Sequence, residues 1–152
     1  MKILLITDQH FGVRNDNQHF INHYARFYGK VVIPFIKASG IKEVISLGDT
    51  FDRRRYINFM SLDSAKEMWF DQLVKLGCNH TMLIGNHDIY YKNTLRVNAP
   101  HEILGEYNFD VIDKPTTKSY DGTDILLLPW ICDDNKSEVF EAVQRSKAPV
   151  CM

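Results

Sequence analysis

The sequence predicts an α/β fold built around parallel strands. Three short, largely apolar runs, at residues 3–6, 43–47 and 81–84, have the composition of strands buried on both faces. Two stretches of helical length separate these runs, and a glycine follows each stretch as a helix C-cap. Because strands that alternate with helices run parallel, their carboxyl ends should meet at one edge of the sheet.

The two helical stretches differ in regularity. The first runs from about residue 17 to 39 and is closed by Gly40, and the second runs from about residue 58 to 76. Pro34 lies inside the first stretch and lacks the N–H that an internal helical position needs. We therefore expect that helix to kink or divide near Val32.

The remainder of the chain predicts shorter elements. We expect a helix at 98–107, a strand at 109–113, a hairpin turning at Asp121-Gly122, a helix at 137–145 and a strand at 148–152. The Asp-Gly pair indicates the hairpin because it tolerates the positive φ angles of a tight turn.

Length and composition predict one globular domain over residues 1–152, since 45% of the residues are hydrophobic. The sequence contains no apolar run of about 18 residues, so we expect no membrane span and a cytoplasmic location. The three cysteines share no Cys-x-x-Cys spacing, which argues against both a disulfide framework and a thiolate zinc site.

A polar patch follows each of the three apolar runs. The patches are Asp8-Gln9-His10, Gly48-Asp49-Thr50-Phe51-Asp52 and Gly85-Asn86-His87-Asp88. Any one of them is ordinary turn chemistry when taken alone. Their occurrence at three successive strand ends favours a shared functional site instead.

The residue types in these patches suit a pair of divalent ions. Asp49 can bridge two ions, with Asp8 and His10 on one side and Asn86 on the other, and such oxygen and imidazole donors suit manganese, iron or zinc. Two ions about 3.5–4 Å apart can clamp a phosphate and activate water. His87 is then the candidate proton donor to the leaving alkoxide.

Two further carboxylates are expected beside these ligands. Asp52 ends the second patch and Asp88 ends the third, and we assign both a supporting role. Asp88 either orients His87 or caps the turn that follows it.

Basic residues close to the patches are candidates for contact with a nucleic-acid backbone. The triplet Arg53-Arg54-Arg55 follows the second patch directly, and Arg14 follows the first. The net charge of −1 argues against a protein that grips nucleic acid with its whole surface, so any contact must be local. The alternative is a solvated loop, or ion pairs with Asp52 and Asp63.

The ordered series Asp-x-His, Gly-Asp-x-x-Asp and Gly-Asn-His-Asp resembles that of the calcineurin-like metallophosphoesterase superfamily. Within it, the patches look most like those of SbcD-type nucleases of recombination and repair. Segments 91–93, 113–117 and 128–132 are similar to phage members of that group, and the resemblance runs along essentially all 152 residues. It implies a sandwich of mixed sheets flanked by helices, and exo- and endonuclease activity on DNA that depends on two divalent ions, usually manganese.

The resemblance also implies a role for each site residue. Asp8 and His10 would bind the first ion, Asp49 would bridge, Asn86 would bind the second, and His87 would be the catalytic proton donor. The implied partners are DNA, an SbcC-type coiled-coil ATPase and a second copy of the chain. The homodimer would pair through the helices around residues 60–76 and 95–107.

The chain departs from the family pattern in one respect. Family members complete the site with histidines in a Gly-His and a later Gly-His-x-His motif, and neither motif occurs here. We therefore expect the N-terminal part of a nuclease domain, incomplete at the C-terminus and without the capping and ATPase-docking regions. Its second ion would bind weakly, and its activity would be low or absent. The alternatives are a phosphoesterase acting on another phosphate ester and a non-catalytic dimerisation module.

Overall fold

The computed structural model describes the whole chain, residues 1–152, and contains two sheets. The first sheet has four parallel strands in the order β1-β2-β3-β4: β1 (Ile3–Ile6), β2 (Glu43–Ser46), β3 (Asn79–Leu83) and β4 (Asp110–Ile112). The three predicted strands are therefore present and parallel. The expectation of burial on both faces is wrong for β1, because it is an edge strand and Leu5 is exposed.

The second sheet is mixed. Its strands are β5 (Thr116–Tyr120), β6 (Thr123–Leu127) and β7 (Val150–Cys151), with β5 and β6 antiparallel and β6 and β7 parallel. Asp121 and Gly122, which join β5 to β6, have φ angles of 53° and 80°, as the predicted hairpin turn requires.

The two sheets share a small apolar core. The first sheet contributes Ile45, Leu83 and Ile112, and the second contributes Tyr120, Ile125 and Leu127. The arrangement is therefore the expected sandwich, with the parallel sheet packed against the mixed one.

The first helical stretch is divided as predicted. It comprises α1 (Gln18–Phe27), a wider π-helical turn (Tyr28–Val32) and α2 (Ile33–Ser39), which ends at Gly40 with φ 65°. The N–H of Ile33 bonds to the carbonyl oxygen of Tyr28, five residues back. The wide turn thus places Pro34 in the first turn of α2, where its missing N–H is tolerated.

The second helical stretch has the same construction. It comprises α3 (Phe59–Ala65), a π-helical turn (Lys66–Phe70) and α4 (Asp71–Lys75), and the side chain of Asn58 caps its start. Two further helices follow, α5 (Ala99–Ile103) and α6 (Lys136–Arg145). None of the helices combines the length and apolar character needed to cross a bilayer.

The main core lies between the helices and the free face of the first sheet. Val44 and Met82 of the sheet belong to one buried cluster with side chains from both helical stretches, among them Tyr28, Ile36, Trp69, Phe70 and Leu73. Helices on one face and a second sheet on the other leave the carboxyl edge of the parallel strands to carry the three polar patches.

Candidate metal centre

Backbone hydrogen bonds hold the first two patches side by side. The N–H of Asp8 donates to the carbonyl oxygen of Gly48 at 3.2 Å, and the N–H of His10 donates to that of Asp49 at 3.0 Å. These bonds continue the pairing of β1 with β2 beyond the end of the sheet. Side chains from the two patches are therefore brought to one place.

Three of the predicted ligands have an unusual backbone conformation. Asp8, His10 and Asp49 have φ angles of 52°, 44° and 55°, in the left-handed region. Such a conformation costs a non-glycine residue of the order of 1 kcal/mol or more, and it persists only where neighbouring contacts hold it. Here the inter-patch hydrogen bonds supply that restraint.

Two glycines let the second and third patches approach closely. A Cβ on Gly48, whose φ is 102°, would lie 2.7 Å from the Cα of Gly85. A Cβ on Gly85 would lie 2.3 Å from both the backbone nitrogen and Oδ1 of Asp49. Only glycine at both positions permits this spacing.

The Asp88 carboxylate joins the second and third patches. It is buried and accepts four backbone N–H bonds, from Asp49, Thr50 and Gly85 at 2.9 Å and from Phe51 at 3.3 Å. Burial raises the pKa of Asp88, and the N–H donors act in the opposite direction. Asp88 is therefore a brace between two loops.

His87 is oriented by the second patch. Its N–H donates to Oδ1 of Asp49 at 2.8 Å, and its Nδ1 lies 2.6 Å from the carbonyl oxygen of Asp52. A carbonyl can only accept, so Nδ1 carries a proton and Nε2 is left for other partners. Of the two alternatives for Asp88, the orientation of His87 is therefore provided instead by the backbone carbonyl of Asp52.

Asp8, His10 and Asp49 bring three donor atoms together. Nε2 of His10 lies 3.5 Å from Oδ1 of Asp8 and 3.9 Å from Oδ2 of Asp49, and the three atoms lie within 4.8 Å of one another. Two carboxylate oxygens and one imidazole nitrogen form a donor set that suits a divalent transition ion. These residues therefore fit the first predicted metal.

A second cluster involves the neighbouring residues. Donor atoms of His10, Asp52 and His87 also lie within 4.8 Å of one another, and Nδ1 of His10 is 3.5 Å from Oδ1 of Asp52. Nδ1 of His10 is buried without a hydrogen-bond partner. We favour the cluster with Asp8 and Asp49, because it offers two anionic carboxylate donors to a divalent ion, whereas the second cluster offers one.

Asn86 faces the same open cavity as two of these ligands. The cavity has a volume of about 600 Å³, and its lining includes Asp8, Asp49 and Asn86. The predicted ligand of a second ion is therefore brought to the same place. Sequence reasoning did not identify another residue of the lining, Trp130.

The arginines of the triplet differ in their contacts and exposure. Arg53 donates through Nη1 to Asp16 at 2.7 Å and through Nη2 to Asn15 at 2.9 Å. The ion-pair alternative therefore applies to Arg53, but its partner is Asp16 rather than Asp52 or Asp63. Arg55 and Arg14 are exposed, and Arg54 is half-buried.

The partners of Arg53 lie in a turn that the sequence analysis did not anticipate. Arg14, Asn15 and Asp16 have successive left-handed φ angles of 55°, 59° and 58°. Asp16 also accepts a hydrogen bond from the Ser61 hydroxyl at 2.6 Å. The available signal was the Asn-Asp pair, because these residue types tolerate the left-handed region best after glycine.

Comparison with known proteins agrees with this geometry. The profile of the Calcineurin-like phosphoesterase family matches residues 1–143. The chain belongs to this family. The resemblance that the three motifs predicted is thereby confirmed, and so is the fold class, an α/β sandwich flanked by helices.

One curated relative of this calcineurin-like phosphoesterase is "Exonuclease subunit 1" of Enterobacteria phage T4. It is 38% identical over 153 residues, and the match covers 100% of this chain and 44% of the relative. The chain thus spans less than half the length of that relative. A solved structure of a protein of unknown function from Aquifex aeolicus is 20% identical, with a TM-score of 0.48 and coverage of 93% of this chain and 70% of that one.

Proposed function

We propose that this calcineurin-like phosphoesterase is a DNA nuclease that hydrolyses phosphodiester bonds with the help of two divalent ions, manganese being the ion used. The observation that carries the proposal is the convergence of donor atoms of Asp8, His10 and Asp49, two of which, Asp8 and Asp49, line an open cavity. The printed name of the phage T4 relative, an exonuclease subunit, supports DNA as the substrate.

The proposed roles follow from the donor atoms. Asp8 and His10 hold the first ion, Asp49 contributes to both, and Asn86 offers its amide oxygen to the second. When bound, such ions neutralise charge on the phosphate and lower the pKa of water. Asp49 is well placed to be shared, because its Oδ2 lies 3.9 Å from Nε2 of His10 and the residue lines the cavity together with Asn86.

His87 is the proposed general acid. Its Nδ1 is held by the Asp52 carbonyl, which fixes the plane of the ring and leaves Nε2 to carry the transferable proton. Transfer of a proton from Nε2 to the leaving oxygen would avoid release of an alkoxide. We propose that Asp52 and Asp88 support this geometry and do not touch the substrate.

The two ion positions are proposed to differ in affinity. The first has a carboxylate, an imidazole and the shared Asp49, whereas this chain supplies only Asp49 and Asn86 to the second. Fewer protein donors mean weaker binding. We therefore propose low activity for these 152 residues, and we propose that they correspond to the N-terminal part of a nuclease domain.

We further propose that the chain forms a homodimer and serves a recombination and repair complex with an SbcC-type ATPase. An apolar groove beside the arginine triplet supports self-association, and its lining includes Ile57, Phe59, Leu62 and Ile103. Phe59 is 87% exposed, which is unusual for a large apolar side chain. The word "subunit" in the name of the T4 relative supports a partner protein.

The proposal is tested by manganese-dependent release of nucleotides from linear duplex DNA, compared with phosphate release from a phosphopeptide. Asp49→Asn should abolish the DNA reaction, and Asp124→Asn, at an exposed site outside the cavity, should leave it unchanged. Hydrolysis of the phosphopeptide alone would overturn DNA as the substrate. If the chain dimerises but binds no manganese even when the ion is present at millimolar concentration, the non-catalytic module is favoured.

A further inference from the structure

Trp130 is an exposed aromatic side chain in the wall of the metal cavity. It is 46% exposed, and it lines the cavity together with Asp8, Asp49 and Asn86. The other tryptophan of the chain, Trp69, is fully buried in the main core. The proposed nuclease mechanism leaves Trp130 without a role.

The backbone of Trp130 is held in place by the strand that leads to Asn86. Its N–H donates to the carbonyl oxygen of Ile84 at 2.7 Å, and its own carbonyl accepts from Nδ2 of Asn135 at 2.9 Å. Asn135 is buried and also accepts from the N–H of Cys132 at 2.8 Å. The aromatic ring is therefore carried by a braced segment, so that little ordering is needed when a ligand binds.

The lining of the cavity contains two chemically different groups of residues. Asp8 and Asp49 carry carboxylates, which attract a cation and through it a phosphate. The other group is apolar and aromatic and comprises Leu128, Pro129, Trp130 and Ile131. A ligand with an anionic group beside a flat apolar ring matches both groups, and a nucleotide is such a ligand.

We propose that Trp130 stacks on an unpaired nucleobase next to the scissile phosphate, so that the site takes single-stranded or frayed DNA ends. A base within a duplex has both faces covered by its neighbours and cannot offer one to the indole ring. Stacking is tolerant of sequence because every base has a π face. This inference rests on the proposed nuclease function and adds the class of substrate to it.

The test measures binding with Ca²⁺ present, using an oligothymidylate of about eight nucleotides and an abasic oligonucleotide with the same number of phosphates. Because Trp69 is buried, quenching of the exposed tryptophan emission reports on Trp130. The oligothymidylate should quench this emission and bind about five- to 150-fold more tightly than the abasic strand. The abasic strand should leave the emission unchanged.

Variants complete the test. Trp130→Ala should abolish the preference for the base-containing strand, and Trp130→Phe should keep most of it, since both aromatic rings can stack. Phe140→Ala removes another half-exposed aromatic, which lies in α6 and does not line the cavity, and should keep the preference in full. Emission from the buried Trp69 reports whether Trp130→Ala remains folded.

The outcomes separate this inference from the proposed function. Equal binding of both strands by the unaltered chain, or a preference that survives in Trp130→Ala, would overturn the role of Trp130 while DNA hydrolysis stands. If neither strand binds and manganese supports no hydrolysis of bis(p-nitrophenyl) phosphate, both proposals fail.

Discussion

Asp88 and Asp49 are joined by a hydrogen bond in which the backbone N–H of Asp49 donates to Oδ2 of Asp88 at 2.9 Å. The side chain of Asp49 in turn accepts from the N–H of His87, the residue that precedes Asp88. Each of the second and third patches therefore donates a backbone N–H to a carboxylate of the other. This arrangement holds the side chains of the proposed metal ligands in place, and such supporting contacts increase the affinity of metal sites.

Asp88→Asn should disrupt this arrangement. An amide presents one oxygen and one NH₂ group, so that two of the four buried N–H donors would face another donor. Unsatisfied buried donors cost about 1–3 kcal/mol each, and we expect a loss of about 2–4 kcal/mol in the free energy of unfolding. Urea denaturation measures this loss.

Asp134→Asn is the matched control for this substitution, because Asp134 is exposed and its change should be nearly neutral. If the Asp88 and Asp134 variants were equally stable, the bracing role of Asp88 would be refuted. Manganese affinity should fall in the Asp88 variant only.

Gly85→Ala should damage both the fold and the metal centre. The added methyl group would lie 2.3 Å from the backbone nitrogen and Oδ1 of Asp49, so the two loops must separate. We expect a loss of about 2–4 kcal/mol in the free energy of unfolding, and weak manganese binding measured by calorimetry.

Gly29→Ala provides the control for Gly85→Ala. Gly29 lies in the π-helical turn and a Cβ there meets nothing within 4 Å. Alanine at such a position should be neutral or should stabilise the protein by up to about 1 kcal/mol. If both variants lost similar free energy of unfolding, the effect of Gly85→Ala could not be attributed to the close approach of the two loops.

The strand ends, and with them the candidate metal ligands, are predictable from the sequence because local signals determine them. The apolar runs end where the patches begin, Gly40 ends the first helical stretch, and the Asp121-Gly122 pair sets the hairpin turn. Pro34 likewise requires a break in a helix whatever surrounds it. Each of these features depends on residues that are neighbours in the chain.

Other features depend on contacts between distant segments and could not be predicted in this way. The partner of Arg53 is Asp16, the last of three successive residues with left-handed φ angles. Trp130 reaches the cavity because its N–H bonds to Ile84 at the end of another strand. Neither the turn nor that hydrogen bond leaves a periodic pattern in the sequence.

Manganese should raise the melting temperature. An ion that binds only the folded chain stabilises it by about 2.7 kcal/mol at about 100 times its dissociation constant, which for a chain of this size corresponds to about 5–10 °C. His10→Gln should remove the shift, since it removes one of three donors to the first ion. His87→Gln should keep the shift, since His87 is assigned to proton transfer.

Scanning calorimetry with and without EDTA measures this effect. Loss of the shift in His87→Gln would mean that the cluster of His10, Asp52 and His87 holds the ion instead. His10 belongs to both clusters, so the response of His87→Gln decides between them.

His80 should make the fold sensitive to acid. Burial lowers the pKa of His80 to about 3, whereas an unfolded histidine has a pKa of about 6.5. Between these values the unfolded state binds one more proton, so stability falls as pH falls below about 6.5, by about 1.4 kcal/mol per pH unit. At about pH 5 the loss from His80 is about 2 kcal/mol.

The free energy of unfolding at about pH 7 and about pH 5 tests this expectation in the unaltered chain, His80→Gln and His19→Gln. Glutamine does not titrate, so the loss should be about 2 kcal/mol smaller in His80→Gln. His19 is exposed and its replacement should leave the loss unchanged. Equal losses in all three proteins would show that His80 is not kept neutral by burial.

The arginines of the triplet should separate into a structural and a DNA-binding residue. Arg53→Ala leaves the largely buried Asp16 carboxylate without its cation, and we expect a loss of about 1–3 kcal/mol in stability.

Arg55 is exposed beside Tyr90, so Arg55→Ala should be nearly neutral for stability. It should instead weaken duplex binding and reduce the slope of log affinity against log salt by about 0.9 for each phosphate that Arg55 neutralises. Urea denaturation and DNA titrations at several salt concentrations measure the two effects, and an unchanged salt slope in Arg55→Ala would exclude it from the DNA interface.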